Sequence, residues 1–445
     1  MPHVAFAPFT GFRVREPEML ELGMSLPGLA PRARAIAGLP SLGLLTLAGM
    51  TPETWTRSWH AVERCTQQWV EEIVDCAPDI VAISALTASV DEAYEFSRTV
   101  RERGFRTVIG GLHATTCADE AVEHCDSVVV GEGEPVWQNV LCDAERGELA
   151  PVYRSNSPTP DWPLPQFDLL GCNPPRYTIQ TQRGCPFACD FCAASRLISP
   201  FREKPVEAIA AELSAICGMA SRPLLELADD NTFARSRDVA ELLDVLTDSG
   251  VRYFTEADWR IGERPDVLTR LASSGCEQVL IGLESLVFRY PGLGAKGAEL
   301  NRMMDAVYAI QEAGVAVNGC FIVGADGETE RSLDALTLFI LESSLADVQV
   351  TLQTPFPGTD LRQRLRRAGR LLDERGWSSY TLFDLTYQPD KLTVEQLESG
   401  FRRVLTDVFS SAASTRRNQI RRSILRSRRD LTDRAVQPDS GNDER

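Results

Sequence analysis

Short apolar runs alternate with amphipathic stretches of helical period along almost all of this 445-residue chain, and that alternation admits few architectures. A buried parallel strand needs a long crossover before its neighbour, and a helix supplies it. "DIVAIS" (79–84), "RTVIGG" (106–111) and "DSVVVGEGE" (126–134) read as strands, with helices over 89–104 and near 117–124. Ahead of them, "SLGLLTLAG" (41–49) reads as another short apolar strand. Residues 57–76 read as an amphipathic helix, with Val62, Trp69, Val70 and Ile73 on one face. The pattern predicts a doubly wound parallel sheet over 1–150, with ligand contacts at its strand ends, Ser84, Gly110–Gly111 and Gly131–Glu134.

Seven prolines fall in 151–175, which reads as an extended linker. The alternation then restarts. Strands are expected at 177–182, 223–228, 251–256, 278–283, 315–322 and 347–353, with helices near 204–218, 236–249, 265–274, 299–313 and 330–343. Six βα units over 176–375 suit a partial or full parallel barrel, with chemistry at the carboxyl ends of its strands. Residues 376–412 read as a small appendage with a helix at 393–409. The tail, 413–445, carries eight Arg against two Asp between Thr415 and Arg434. A frayed, solvated helix running into disorder is the expectation there, and contact with nucleic acid or anionic lipid is the other reading.

A formal net charge of −17 excludes a general nucleic-acid binder, which needs a basic surface. The N-terminus lacks the pattern of a secretory signal, and no run of ~18 apolar residues predicts a membrane span. Twelve cysteines without such a signal imply reduced thiols in a cytoplasm. Nine of them are scattered singly and read as buried small hydrophobes.

The other three, Cys185, Cys189 and Cys192, share the loop "RGCPFACDFC" after the first strand of the second series. Thiolates suit zinc and iron–sulfur clusters. A closed zinc site needs a fourth ligand, and all four histidines (His3, His60, His113, His124) lie far N-terminal. Three thiolates on a [4Fe–4S] cluster leave one iron open. C-x3-C-x2-C with Phe191 before the last cysteine resembles the motif of radical S-adenosylmethionine (radical SAM) enzymes. The resemblance implies that the open iron binds the amino and carboxylate groups of SAM. Further positions match more loosely. "LADDN" (227–231) resembles the segment that grips the SAM amino group, through Asp229 and Asp230, although an acidic pair at a helix start is the other reading. Arg260 in "EADWR" would pair with the SAM carboxylate. Glu284 and Ser285 in "GLES" resemble contacts to the ribose or methionyl part, and Ile322 in "GCFIVG" would flank adenine.

The first sheet resembles the Rossmann-like cobalamin-binding domain fused to one radical SAM subfamily. Ser84-Ala85-Leu86 stands where that fold has S-x-L, and Gly110-Gly111 follows 26 positions on. Gly131, Glu132 and Gly133 of "VVVGEGE" belong to the same series, and "SLPGLAPRARAIAGLPSLGLLTLAGMTP" and "FPGTDLRQRL" also resemble segments of these proteins. The D-x-H-x-x-G motif that gives cobalt an axial histidine is absent. "AGMTPETW" (48–55) stands in its place, so cobalamin without a histidine ligand is expected, its lower face covered by that loop.

The resemblance covers roughly residues 1–410, with hopanoid-methylase-like and antibiotic-pathway methylases as the similar groups. It implies a [4Fe–4S] cluster, SAM and cobalamin as cofactors, a one-electron donor such as flavodoxin or ferredoxin, and a small-molecule substrate. The activity it implies is methylation of an unactivated carbon through a 5′-deoxyadenosyl radical and methylcobalamin. A non-methylating radical reaction on the same architecture (cyclisation, ring rearrangement, oxidation) is the alternative. A methylthiotransferase would need a second cysteine-ligated cluster, and a cobalamin carrier or sensor would not need the three-cysteine loop. Trp259, Cys320, Gln353 and Tyr380 are candidate cavity residues.

Overall fold

Parallel pairing dominates the chain, as helix-connected strands require, and it builds two six-stranded sheets in succession. The computed structural model describes residues 1–9, 14, 17–26, 29, 38–159, 161–171, 174–198, 200–234 and 239–436. Most of the stretch 25–40, residues 236–238 of the expected helix and the last residues of the tail lie outside that set.

The first sheet comprises β1 (His3–Pro8), β2 (Thr56–Trp59), β3 (Ile80–Ser84), β4 (Arg106–Gly110), β5 (Ser127–Val130) and β6 (Val152–Arg154), in the order β2-β1-β3-β4-β5-β6. Every neighbouring pair is parallel. Alternate side chains feed the two faces. Val4, Phe6, Ile80 and Ala82 join one core, and Ala5, Ala7, Val81 and Ile83 join the other.

Three sequence expectations need correction here. Residues 41–49 are not a strand but the helix Leu42–Met50. A uniformly apolar run carries no period, and Leu, Ala and Met favour helix once packing permits it. This helix is apolar all round because it lies between two cores, with Leu44 and Ala48 in the sheet core and Leu45 in that of the second sheet. Residues 57–76 split into edge strand β2 and the helix Gln67–Asp75, while β1 went unread. The expected helix near 117–124 is two short ones, Leu112–Thr116 and Ala118–Ala121. The proline-rich segment, for its part, contributes β6 and packs back on the chain. Gln166 N donates to Leu45 O at 2.9 Å, and a Cβ on Gly49 would meet Leu164 O at 2.1 Å.

The second sheet follows the expected strands closely: β7 (Tyr177–Ile179), β10 (Leu224–Leu227), β11 (Arg252–Ala257), β12 (Cys276–Glu284), β13 (Ala316–Val323) and β14 (Asp347–Leu352). They run in the order β14-β13-β12-β11-β10-β7, all parallel and unclosed, as a six-stranded partial barrel. A two-stranded antiparallel ribbon, β8 (Gln182–Arg183) and β9 (Arg202–Glu203), brackets the cysteine loop. The appendage helix Val394–Val408 buries Leu397, Phe401, Val404 and Leu405 in the barrel's own core.

The arginine-rich tail is helical over Ser411–Val436, and it is docked where solvation was expected. Arg416 caps the carbonyls of Leu341 and Glu342 at the end of helix Glu330–Glu342. Arg428 donates to Cys276 O at 2.7 Å, and Ile424 is buried. Of the nine scattered cysteines, Cys125 and Cys276 are buried, whereas Cys76, Cys142 and Cys217, on or capping helices, are exposed. Cys65, Cys117 and Cys320 are intermediate, and Cys172 lies outside the described residues. Among the described residues no helix is long and apolar enough to cross a membrane.

The helix Leu300–Glu312 reaches the barrel wall through Gly262, where an added Cβ would stand 2.1 Å from Ala306 O. Since that neighbour is backbone, Gly262→Ala should lower unfolding free energy by about 1–3 kcal/mol. Denaturant melts of the two proteins would measure this; equal midpoints would contradict it.

Candidate cofactor and active site

The cysteine loop is held by backbone contacts that leave little choice of conformation. Gly184 sits at φ +76, and a Cβ there would meet Ile198 O at 2.1 Å, so only glycine admits this turn. Asp190 N donates to Pro291 O at 3.0 Å, and Asp190 O accepts from Leu361 N at 2.9 Å. Arg364 pairs with the Asp190 carboxylate at 3.1 Å. Cys189 is buried, with Cys185 and Cys192 half-buried. Phe191 meets Tyr290 edge-on at 4.7 Å, inside an apolar cluster containing Cys189, Leu293 and Ile322. The structure therefore brings Phe191 and Ile322 to Cys189 and Cys192.

Burial pushes the Cys189 thiol up to about 11, and it raises that of Cys185. Lys296 opposes the shift at both. It lies under the loop, its Nζ 5.6 Å from the centre of the Phe187 ring. Burial disfavours the Lys296 charge, but Glu284 foremost, then Cys189, Cys185 and Asp258, hold its pKa above the usual value. Lys296 was missed in the sequence. Its signal was rarity: the chain has only three lysines among 46 basic residues, and this one follows the fourth barrel strand.

Asp229 and Asp230 have different surroundings. Asp229 is wholly engaged, accepting from Thr181 N (2.8 Å), Thr181 Oγ1 (2.6 Å), Gln182 N (3.1 Å) and Thr232 Oγ1 (3.0 Å). It fixes the turn that leads into the cysteine loop. Asp230 has its carboxyl pushed up to about 6 by burial and then by Asp229. Arg260 is forked onto Asp258, at 2.8 and 2.9 Å, with Asn231 also donating to Asp258 at 3.0 Å. The Arg260 guanidinium also stacks over Phe187, 5.1 Å from the ring centre. Glu284 ends β12 at φ +61, beside a register shift. A half-buried non-glycine residue in that conformation marks strain at a strand end. Ser285 makes a local turn, accepting from Val287 N and Phe288 N at 3.2 Å.

Glu226 and Glu256 stand in the lumen near them. Burial pushes Glu256 up to about 8, helped by Asp230 and Glu226. Trp259 and Tyr380 are wall residues: Trp259 donates to Lys296 O at 2.7 Å, and Tyr380 contacts Arg362. Gln353 is buried, and Cys320 is half-buried on β13.

A cavity of about 460 Å³ opens beyond the carboxyl ends of β3, β4 and β5. Ser84, Gly110, Gly111, Gly131, Glu132 and Gly133 line it; Leu86 does not, standing 63% exposed. Gly111 lies at φ +108 with its missing Cβ 3.3 Å from Ser84 Oγ. The opposite wall is Leu42, Leu44 and Leu47. Helix Leu42–Met50 thus covers the cavity, not the 48–55 loop, whose Thr51 instead takes the Trp137 indole N–H at 3.0 Å. Neither His60 nor His113 lines it.

Both sites suit the groups that the sequence implied. The strand ends are bare of Cβ atoms opposite a leucine wall, with Ser84, Ser155, Asn156 and Gln180 around them; this accepts a flat macrocycle fringed by amides. Three thiols near the half-buried Lys296 ammonium have the charge balance that a thiolate-held cluster needs. Among the described residues no group of His, Cys, Asp or Glu converges as a single metal ion requires, whereas a four-iron cube keeps its thiolates on separate irons.

Comparison with known proteins agrees. Residues 179–340 match the radical SAM superfamily model, and residues 34–141 match the B12 binding domain model. Residues 179–340 thus carry a radical SAM domain, with a B12-binding domain over 34–141 ahead of it, and the two domains imply a [4Fe–4S] cluster, SAM and cobalamin as cofactors. It is similar to the bacteriochlorophyllide d C-12(1)-methyltransferase of Chlorobaculum tepidum, 29% identical over 77% of each chain. The hopanoid C-2 methylase of Rhodopseudomonas palustris is 24% identical over 76% of this chain and 66% of its own. The fold also superimposes on the cobalamin- and [4Fe–4S]-bound radical SAM methyltransferase TsrM of Kitasatospora setae. There the TM-score is 0.65 at 13% identity, covering 98% of this chain and all of that one.

Two predictions follow from the carboxylates. Asp229→Asn keeps one acceptor oxygen where two serve, so it should cost roughly 2–4 kcal/mol of stability and lower iron uptake on reconstitution. Unfolding midpoints and iron analysis would check it, and unaltered values in both would refute it. For Glu256, the folded chain retains a proton that the unfolded chain has released above about pH 5, so stability falls as pH rises towards about 8. Glu256→Gln should gain on the wild type across that interval and match it below about pH 4. Parallel melting curves across the pH series would show the assignment to be mistaken.

Proposed function

We propose that this chain methylates an unactivated carbon of a small-molecule substrate. We assign residues 1–150 to cobalamin, 151–175 to a connecting segment, 176–375 to the cluster and SAM, 376–412 to an appendage and 413–445 to the tail. The observation that carries the reading is the composition of the cavity wall. Gln180, Arg183, Leu197 and Ile198, which flank the cysteine loop on both sides, line the same cavity as the glycine strand ends of the first sheet. Radical abstraction and methyl delivery must share one enclosed space, because a radical that escapes reacts elsewhere.

When bound, the cluster and SAM supply a 5′-deoxyadenosyl radical and cobalamin supplies the methyl group. The chain's part is to hold and exclude. Cys185, Cys189 and Cys192 carry the cluster, with Lys296 offsetting their charge. Asp230 and Glu284 face the SAM amino and ribose or methionyl groups, with Phe191 and Ile322 as the apolar flank. Asp229, Arg260 and Ser285 act on the frame around that site. Ser84, Gly110, Gly111, Gly131 and Gly133 form the corrin cradle, and the leucines of helix Leu42–Met50 keep water from it. A one-electron donor such as flavodoxin or ferredoxin serves the cluster in the cytoplasm. The methyltransferase and methylase named above support this reading.

The test is anaerobic reconstitution with iron, sulfide and cobalamin, followed by incubation of pathway extracts with SAM bearing a deuterated methyl group. A product heavier by one labelled methyl, with two SAM consumed per product, is expected; Cys189→Ala should abolish both that product and 5′-deoxyadenosine. Formation of 5′-deoxyadenosine with one SAM per turnover and no labelled product would indicate a non-methylating reaction. Cobalamin uptake with no SAM cleavage would indicate a carrier.

A further inference from the structure

The acidic residues of the "GEGE" segment after β5 do not reach into the cavity alone; they cross to the ribbon β8–β9 that brackets the cysteine loop. Arg183, two positions before Cys185, donates to Glu134 Oε1 at 2.5 Å and lies 3.4 Å from Glu132 Oε2. Arg202, on the other strand of the ribbon, donates to both oxygens of Glu132. The connecting segment joins them, because Thr159 N donates to Glu132 Oε2 at 2.8 Å and Thr159 O accepts from Arg202 at 3.0 Å. Trp162 is faced by Arg183 and Lys204, whose charged ends lie 5.0 and 5.3 Å from its ring centre. Lys204 is itself buried against Glu212 at 2.5 Å. The network is largely out of water: Glu134 is 8% exposed, Arg183 13%, Arg202 18% and Glu132 20%.

We infer that Glu132 and Glu134, through Arg183 and Arg202, form a clamp that fixes the cysteine loop in register with the cavity of the first sheet. This assigns the four side chains as positioning residues. The proposal rests on the reading of that loop as cluster-bearing and of that cavity as the corrin site. Apolar packing alone would resist separation of the two edges but would tolerate sliding. The bidentate Arg202–Glu132 pair and the Arg183 bridge between two carboxylates each hold in one register, and a slide leaves a charge buried without its partner. The ribbon β8–β9 has its two arginines on one carboxylate pair, so both ends of the loop 184–201 between them answer to the first sheet. Gly184, immediately after Arg183, has no side chain to wedge the loop.

Two readouts test this. In the cofactor-free chain, hydrogen–deuterium exchange of amides 184–192 should rise roughly tenfold or more in Glu134→Gln and Arg183→Gln, given the usual worth of a charged hydrogen bond. The barrel helix Val206–Met219 should exchange as before, and Arg183→Lys should show a smaller rise than Arg183→Gln. In the loaded protein, with iron and cobalt contents measured, the distance distribution between the reduced cluster and cob(II)alamin, read by pulsed electron paramagnetic resonance, should broaden in the same order. Wild-type exchange together with a wild-type distance distribution in Glu134→Gln and Arg183→Gln would overturn the clamp. If a variant loses its cluster, the exchange result decides. A wild-type chain that takes up neither cofactor would instead remove the reading on which the proposal stands.

Discussion

Everything reactive in this molecule sits at the carboxyl edge of a parallel sheet, and there are two such sheets whose edges must meet. A parallel sheet delivers all its loops to one side, so the geometry of the meeting decides what the chain can do. Here it is set by a polar bridge and an apolar wedge. The bridge runs from Glu132 and Glu134 to Arg183 and Arg202. The wedge is helix Leu42–Met50, with Leu44 in one core and Leu45 in the other. On a separate flank, Trp377 of the appendage donates its indole N–H to Glu120 at 2.9 Å, so the C-terminal region also touches the helix Ala118–Ala121 beside the first sheet.

The barrel end is an electrostatic problem solved by sparing use of cations. Glu226, Asp230, Glu256 and Glu284 occupy the lumen near three thiols, and Lys296 is the charge that faces several of them. Arg260 and Arg176 are already committed to Asp258 and Glu226. Burial holds these carboxyls towards the protonated form, so a cation that enters the lumen gains by letting them ionise, and SAM carries a sulfonium and an ammonium.

The sequence disclosed the parts whose cause is local. Buried parallel strands are continuous apolar runs between turns, so β10 to β14 fell within about two residues of their expected bounds. The cysteine spacing identified its loop without help from the fold. What escaped depended on distant partners. Helix Leu42–Met50 looked like a strand because it is buried on all sides. The tail arginines looked solvated because their carbonyl partners at Ala272, Cys276 and Leu341 are far away in the chain. Arg260 looked free because Asp258 was not recognised as its partner, and the partners of Glu132 and Glu134 lie 49 to 70 positions away.

An anaerobic crystal structure of the chain loaded with cobalamin, cluster and SAM tests the central claim most directly. The claim is that one cavity serves both sheets. It predicts the corrin ring between the Gly110–Gly111 and Gly131–Gly133 strand ends and the leucines of helix Leu42–Met50, with the open iron and SAM facing it across Arg183. A corrin bound elsewhere, or a cluster whose open iron is walled off from that cavity, would contradict it.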